Sequence, residues 1–119
     1  MADTNQNAEV VGPVRTEGNA VIMIVRGDVD LHNSPELRSA LLQILSSQQP
    51  KKLVLNLAAV PYMDSSAIAV LVESLQKLKR SGGSVVLTNL QPRVKGLLEI
   101  ARLNTIFTLA KDEAEALSK

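Results

Sequence analysis

A single α/β domain, with a mixed and mostly parallel β-sheet of about four to five strands and about four helices, is what the 119-residue sequence predicts. Three observations carry that expectation. Short runs rich in β-branched residues alternate with segments whose apolar residues recur at helical spacing, the pattern of parallel strands joined by helical crossovers. The helical segments open on capping residues or proline, and they close on glycine or polar turns. The first two strand-like runs adjoin, which reads as an antiparallel hairpin.

Each element has its own signal. Residues 1–12 are polar, carry no usable period and run into Pro13, so they read as a flexible tail and 13–119 as the domain. Structure is expected from near Val14, with VRTEG (14–18) and AVIMIVRG (20–27) forming the hairpin and Val21 to Val25 buried. NSPEL (33–37) combines an N-cap at Ser34, a proline at the first helical position and an acid in the first turn. Leu37, Ala40, Leu41, Ile44 and Leu45 give that helix one apolar stripe before a loop over 46–52. LVLNL (53–57) is apolar almost throughout and reads as a central strand.

From Ser66 to Arg80, the stripe Ile68, Leu71, Val72, Leu75, Leu78 opposes a polar face, and SGGS (81–84) ends the helix. VVLTNL (85–90) reads as a strand. Pro92 opens a helix with Val94, Leu97, Leu98 and Ala101 inward, and TIFTL (105–109) supplies a last strand. Asp112 with Glu115 resembles a capping box for a short terminal helix.

Composition excludes several kinds of function. With no cysteine and His32 as the lone histidine, thiolate catalysis, Cys-ligated zinc and a multi-histidine metal site within one chain are ruled out. A net charge of +1, with Tyr62 and Phe107 the only aromatics, leaves no footprint for nucleic acid. No apolar stretch approaches the roughly 18 residues that span a bilayer, and the start lacks a secretory signal, so no membrane insertion and a cytoplasmic location are expected.

Two polar clusters stand out. Asp64–Ser65–Ser66 follows the central strand and precedes the clearest helix, where free N–H groups and the positive dipole end favour anions. Simple N-capping explains the same residue types, and spacing alone favours it. The second cluster, Asp28 and Asp30 in RGDVD, lies on the loop after the hairpin. Two acids beyond a strand end can hold Mg²⁺ in phosphoryl-transfer sites, yet the central strand there has Asn56 where a phosphoacceptor aspartate would stand. A serine nucleophile needs a base, for which only His32 could serve, and the G-x-S-x-G pattern of the α/β-hydrolase elbow is absent, so no enzyme is expected.

In RGDVDLHNSPELRSAL (26–41), LVLNLAAVPYMDSSAIAVL (53–71) and the pattern of residues 81–109, the chain resembles the STAS family, which includes bacterial anti-sigma factor antagonists. The resemblance implies helices packed largely on one side of the sheet. It implies that Ser65, directly after the motif aspartate, is a phosphoacceptor supported by Asp64 and Ser66. It also implies a partner surface with Asp28, Asp30, His32, Asn33 and Ala67. The partners so implied are an anti-sigma factor with serine kinase activity, which only the unphosphorylated form sequesters, and a phosphoserine phosphatase. No cofactor is implied. Many antagonists have glycine where this chain has Ala67 and Ala69, and a second reading is a non-phosphorylated subunit of a lipid-transport ABC complex or a stressosome-like scaffold.

Overall fold

The computed structural model describes residues 9–119. It begins with the expected hairpin: β1 (Val11–Glu17) and β2 (Ala20–Arg26) pair antiparallel around a turn in which Gly18 holds φ +63°, a conformation L side chains seldom adopt. The hairpin starts before Val14. Val10 is 1% exposed, and the Arg26 N–H donates to its carbonyl at 2.9 Å, so chain expected as tail already belongs to sheet and core by Val10. The remainder of that tail, residues 1–8, lies outside the described residues.

There follow α1 (Ser34–Gln48), β3 (Lys52–Ala59), α2 (Ser65–Arg80), β4 (Ser84–Thr88), α3 (Pro92–Ile100), β5 (Thr108–Ala110) and α4 (Glu113–Ser118). Among the described residues the sheet has five strands in the order β1-β2-β3-β4-β5, with β2 through β5 parallel. Spatial order follows chain order, so successive crossovers of one hand return α1, α2 and α3 to the same face. The buried side chains of those three helices all join one core, with Leu53, Leu55 and Leu57 of the central strand beneath them. Alternate strand residues point the other way. Ile22, Val54, Val86 and Ala110 form a smaller core under Ala116 of α4. The nearly continuous apolar run in β3 thus reflects burial on both faces.

Several boundaries differ from expectation. The N-cap of α1 is Asn33, and Ser34 is a buried first-turn residue; the helix also runs to Gln48, shortening the loop expected over 46–52. Strand β4 stops at Thr88, because Asn89 turns the chain at φ +57°. In α2 the buried positions are Ala67, Val70, Leu71, Ser74, Leu75 and Leu78, which moves Ile68 and Val72 to the margin of the stripe. Ala101, expected inward, is the exposed C-cap of α3. A 3₁₀ turn at Leu103–Thr105 and the buried Phe107 then delay the last strand to Thr108. At α4 the Asp112 carboxylate accepts the Glu115 N–H at 2.9 Å as expected, while the Glu115 carboxylate takes the Lys111 N–H, one residue before the cap.

Candidate functional site

Both polar clusters lie beyond the carboxyl ends of neighbouring parallel strands, and the backbone joins them. The loop after β2 runs beside the loop after β3: the Val29 N–H donates to the Tyr62 carbonyl at 3.0 Å, and the Asp64 N–H donates to the Val29 carbonyl at 3.1 Å. Val29 and Met63, bridged in parallel and buried, anchor the two loops to the core. Their polar neighbours are thereby held at the surface on either side.

Asp64 is the N-cap of α2, in extended conformation with its side chain turned back over the first turn. Its Oδ1 accepts the Ser66 N–H at 2.9 Å, the Ala67 N–H at 3.3 Å and the Ser66 hydroxyl at 2.6 Å. Its Oδ2 reaches across to the other loop and accepts the Leu31 N–H at 3.0 Å. The Ser66 hydroxyl above all, then the Ala67, Ser66 and Leu31 amides, holds the Asp64 carboxyl below the usual aspartate range. One carboxylate therefore caps the helix and ties the two loops together.

That arrangement separates the roles of the two serines. Ser66 is half-buried, and its hydroxyl is spent on Asp64. Ser65 is the first helical residue and exposed, and no hydrogen bond ties its hydroxyl to a described residue. It stands where the amides and dipole of a 16-residue helix converge.

The loop after β2 also divides by role. The Asp30 carboxylate accepts the N–H groups of His32 at 2.9 Å and Asn33 at 3.3 Å, while the Asn33 side chain accepts the Asp30 N–H at 2.9 Å and donates to the Asp28 carbonyl at 2.8 Å. Asp30 and Asn33 thus shape the loop, and the commitment of the Asn33 side chain explains why it makes no capping bond to α1. The side chains of Asp28 and His32 are exposed. Ala67 is 0% exposed, so its methyl packs in the core and offers nothing to a partner, a correction to its expected place on the binding surface; Ala69 is exposed.

Sequence reasoning missed three residues here. Leu31 donates its N–H to Asp64 and leaves its side chain 76% exposed; an apolar residue inside an otherwise polar loop was the available signal. Tyr62 and Arg93 meet with the guanidinium carbon 5.2 Å from the ring centroid, a juxtaposition of the loop after β3 with the first turn of α3, distant in sequence. Among the described residues, no group of three or more His, Asp or Glu side chains is placed to hold a metal ion, and no helix is long and apolar enough to cross a membrane.

Comparison with known proteins shows the family and the fold. The chain is 33% identical over 101 residues to the anti-sigma-B factor antagonist of Bacillus subtilis (strain 168), covering 84% of this chain and 91% of that protein. The crystal structure of an anti-sigma factor antagonist from Mycobacterium paratuberculosis matches with a TM-score of 0.81 at 23% identity, over 89% of each chain. The Bacillus cell fate determinant SpoIIAA, solved in its phosphorylated form, matches with a TM-score of 0.70 at 19% identity, over 89% of this chain and 96% of that one. At such identities the two structures show a shared fold. The STAS domain profile matches residues 13–116, spanning every strand but the start of β1 and every helix but the last residues of α4, and the chain belongs to the STAS domain family.

Proposed function

We propose that this protein is a cytoplasmic anti-sigma factor antagonist whose partner binding is switched by phosphorylation of Ser65. The unphosphorylated form binds and sequesters an anti-sigma factor with serine kinase activity, which releases the sigma factor. Phosphate on Ser65 ends that binding, and a phosphoserine phosphatase restores it. The protein itself catalyses nothing in this cycle. The single observation that carries the reading is the contrast between the serines: Ser65 is exposed and uncommitted directly after the cap, whereas the Ser66 hydroxyl is held by Asp64.

Physical chemistry supports a switch at that position. A phosphoserine brings about −1.5 to −2 charges at neutral pH. At the first helical residue, that charge meets free N–H groups and the positive dipole end, so the fold tolerates it. A partner, however, meets a bulky dianion next to Asp64 in place of a small hydroxyl, and like-charge repulsion with lost packing lowers affinity. The named relative antagonises an anti-sigma factor, and a protein of the same fold exists in phosphorylated form, which agrees with this reading.

The test uses a kinase-fold anti-sigma factor captured from the source cytoplasm, identified by mass spectrometry and purified. Incubated with it and ATP, the wild-type chain should gain one phosphate on Ser65. Ser65→Ala should bind the partner and stay unmodified, while Ser65→Asp and Ser65→Glu should bind poorly and remain folded. Phosphate found only on Ser66, or on neither serine with a demonstrably active kinase, would overturn the assignment.

A further inference from the structure

Beside the proposed switch lies an open groove of about 300 Å³ between the loop after β3 and α3, lined by Tyr62, Met63, Arg93, Gly96, Leu97 and Ile100. Its apolar walls face solvent. Ile100 is 85% exposed and Tyr62 38%, the former on a helix whose Val94 and Leu98 are buried and whose Leu97 is half-buried. A large apolar residue left outward on a short helix, next to another on the facing loop, makes a patch that favours a partner.

Gly96 sharpens the point. It occupies the interior of the nine-residue α3, where glycine weakens a helix relative to alanine. Nothing inside the protein requires it there: its φ is not positive, and a Cβ built on it would have no heavy atom within 4 Å. The missing side chain leaves bare backbone at the floor of an outward-facing groove. Close approach by another chain is the use such a position has.

Two further observations say what kind of chain. Arg93 at the rim lies over the Tyr62 ring and, among the described residues, has no carboxylate within ion-pairing distance. Asp28, Asp30 and Asp64 instead make the loop side of the surface acidic. Tyr62 and Met63, which line the groove, immediately precede Asp64 and Ser65 in the chain, so the groove adjoins the switch. A partner that covers Ser65 meets the groove next.

We propose that this groove seats an amphipathic helix of the protein that reads Ser65, with an apolar side chain packed over Gly96 between Tyr62 and Ile100 and a carboxylate on Arg93. The proposal rests on the reading of Ser65 as a regulated partner contact and extends it with a second anchor. Helix-in-groove recognition of this kind uses apolar anchors at i, i+3 or i+4 spacing, and the cation fixes the direction of the incoming helix. The phosphate on Ser65 does not fill the groove, so the two contacts contribute separately.

The experiment is a calorimetric titration of the purified kinase-fold anti-sigma factor into the wild-type chain, Ser65→Asp, Gly96→Leu and Arg93→Glu, with circular dichroism and sedimentation on each variant. Gly96→Leu fills the groove with a side chain that the fold itself can accommodate and should raise Kd by roughly tenfold or more, with unchanged secondary structure. Arg93→Glu should weaken binding in the same direction, by charge reversal and without adding bulk. If both groove variants bind as the wild type does while Ser65→Asp loses binding, the switch stands and the groove proposal falls. If Ser65→Asp binds normally, or no anti-sigma factor is captured, the underlying reading fails and takes the proposal with it. If the free chain sediments as a dimer that Gly96→Leu dissociates, the groove belongs to a second copy of this chain and the proposal is overturned.

Discussion

Asp64 connects more of the site than any other side chain, because its two oxygens serve different loops. Oδ1 caps α2 and holds Ser66, while Oδ2 takes the Leu31 amide from the loop after β2. Ser65, one residue on, is exempt from this work, so Ser65→Ala should leave stability within about 0.5 kcal/mol of wild type in thermal unfolding. A loss near or above about 1 kcal/mol would instead give Ser65 a capping role. The Asp64 carboxyl titrates below its ordinary value of 3.8 in the folded chain, so on acidification the unfolded chain takes up its proton first. Its contribution is complete above about pH 5 and is lost as the pH falls through the lower folded value. Asp64→Asn lacks that titration and the charged acceptor, so it should melt below wild type at about pH 6, and the gap should narrow toward about pH 3. A gap that is constant across that range would count against the carboxylate's role.

At the scale of elements, the helices differ in how they are held. α1 and α2 face each other across a bidentate pair in which the Arg38 guanidinium donates to both Glu73 oxygens at 2.7 and 2.8 Å, over a shared apolar stripe. The six-residue α4 has little apolar area of its own, and the opposite face of the sheet docks it by polar contacts at both ends. At its start, Asn56 donates to the Glu113 carboxylate at 2.7 Å and Arg15 at 2.6 Å, which hold that carboxyl below the usual glutamate range. At its end, the Lys52 ammonium donates to the carbonyls of Ala116 at 2.8 Å and Lys119 at 3.2 Å, a cation placed on the negative end of the dipole. Lys52→Met should therefore cost about 0.5–1 kcal/mol and speed hydrogen exchange of the amides in residues 113–118, leaving α2 protection unchanged. Protection in α4 equal to wild type would show that Ala116 and Leu117 suffice to hold it.

For the whole molecule, the order of strands places the functional surface. The loops after β2 and β3 and the start of α3 all leave the carboxyl ends of parallel strands, so residues 28–33, 62–66 and the first turn of α3 share one end of the sheet although they are far apart in the chain. The central strand supports that end from below, with Leu53, Leu55 and Leu57 all fully buried. Leu55→Ala should destabilise the domain by about 2–5 kcal/mol in denaturant unfolding, as one cooperative transition with no change in m-value. Two separated transitions would mean that the hairpin or α4 unfolds apart from the main core.

The sequence by itself determined the fold class, the hairpin, the four helices and the proximity of Ser65 to a helix start, because apolar period, proline, glycine and capping residues act within a few positions of one another. It misplaced the α1 cap by one residue, since Asn33 and Ser34 are both good cap types and the local pattern does not say at which of them the helix begins. The resemblance set Ala67 on the partner surface, and a small residue in a first helical turn carries no sign of which way it faces. Only the tertiary structure decided the division of labour between Ser65 and Ser66, through the reach of Asp64 to Leu31, and the meeting of Tyr62 with Arg93 beside Gly96. The physical reason is the same in each case: local pattern records what a residue does to its own segment, while side-chain commitments across loops depend on which strands the sheet brings side by side.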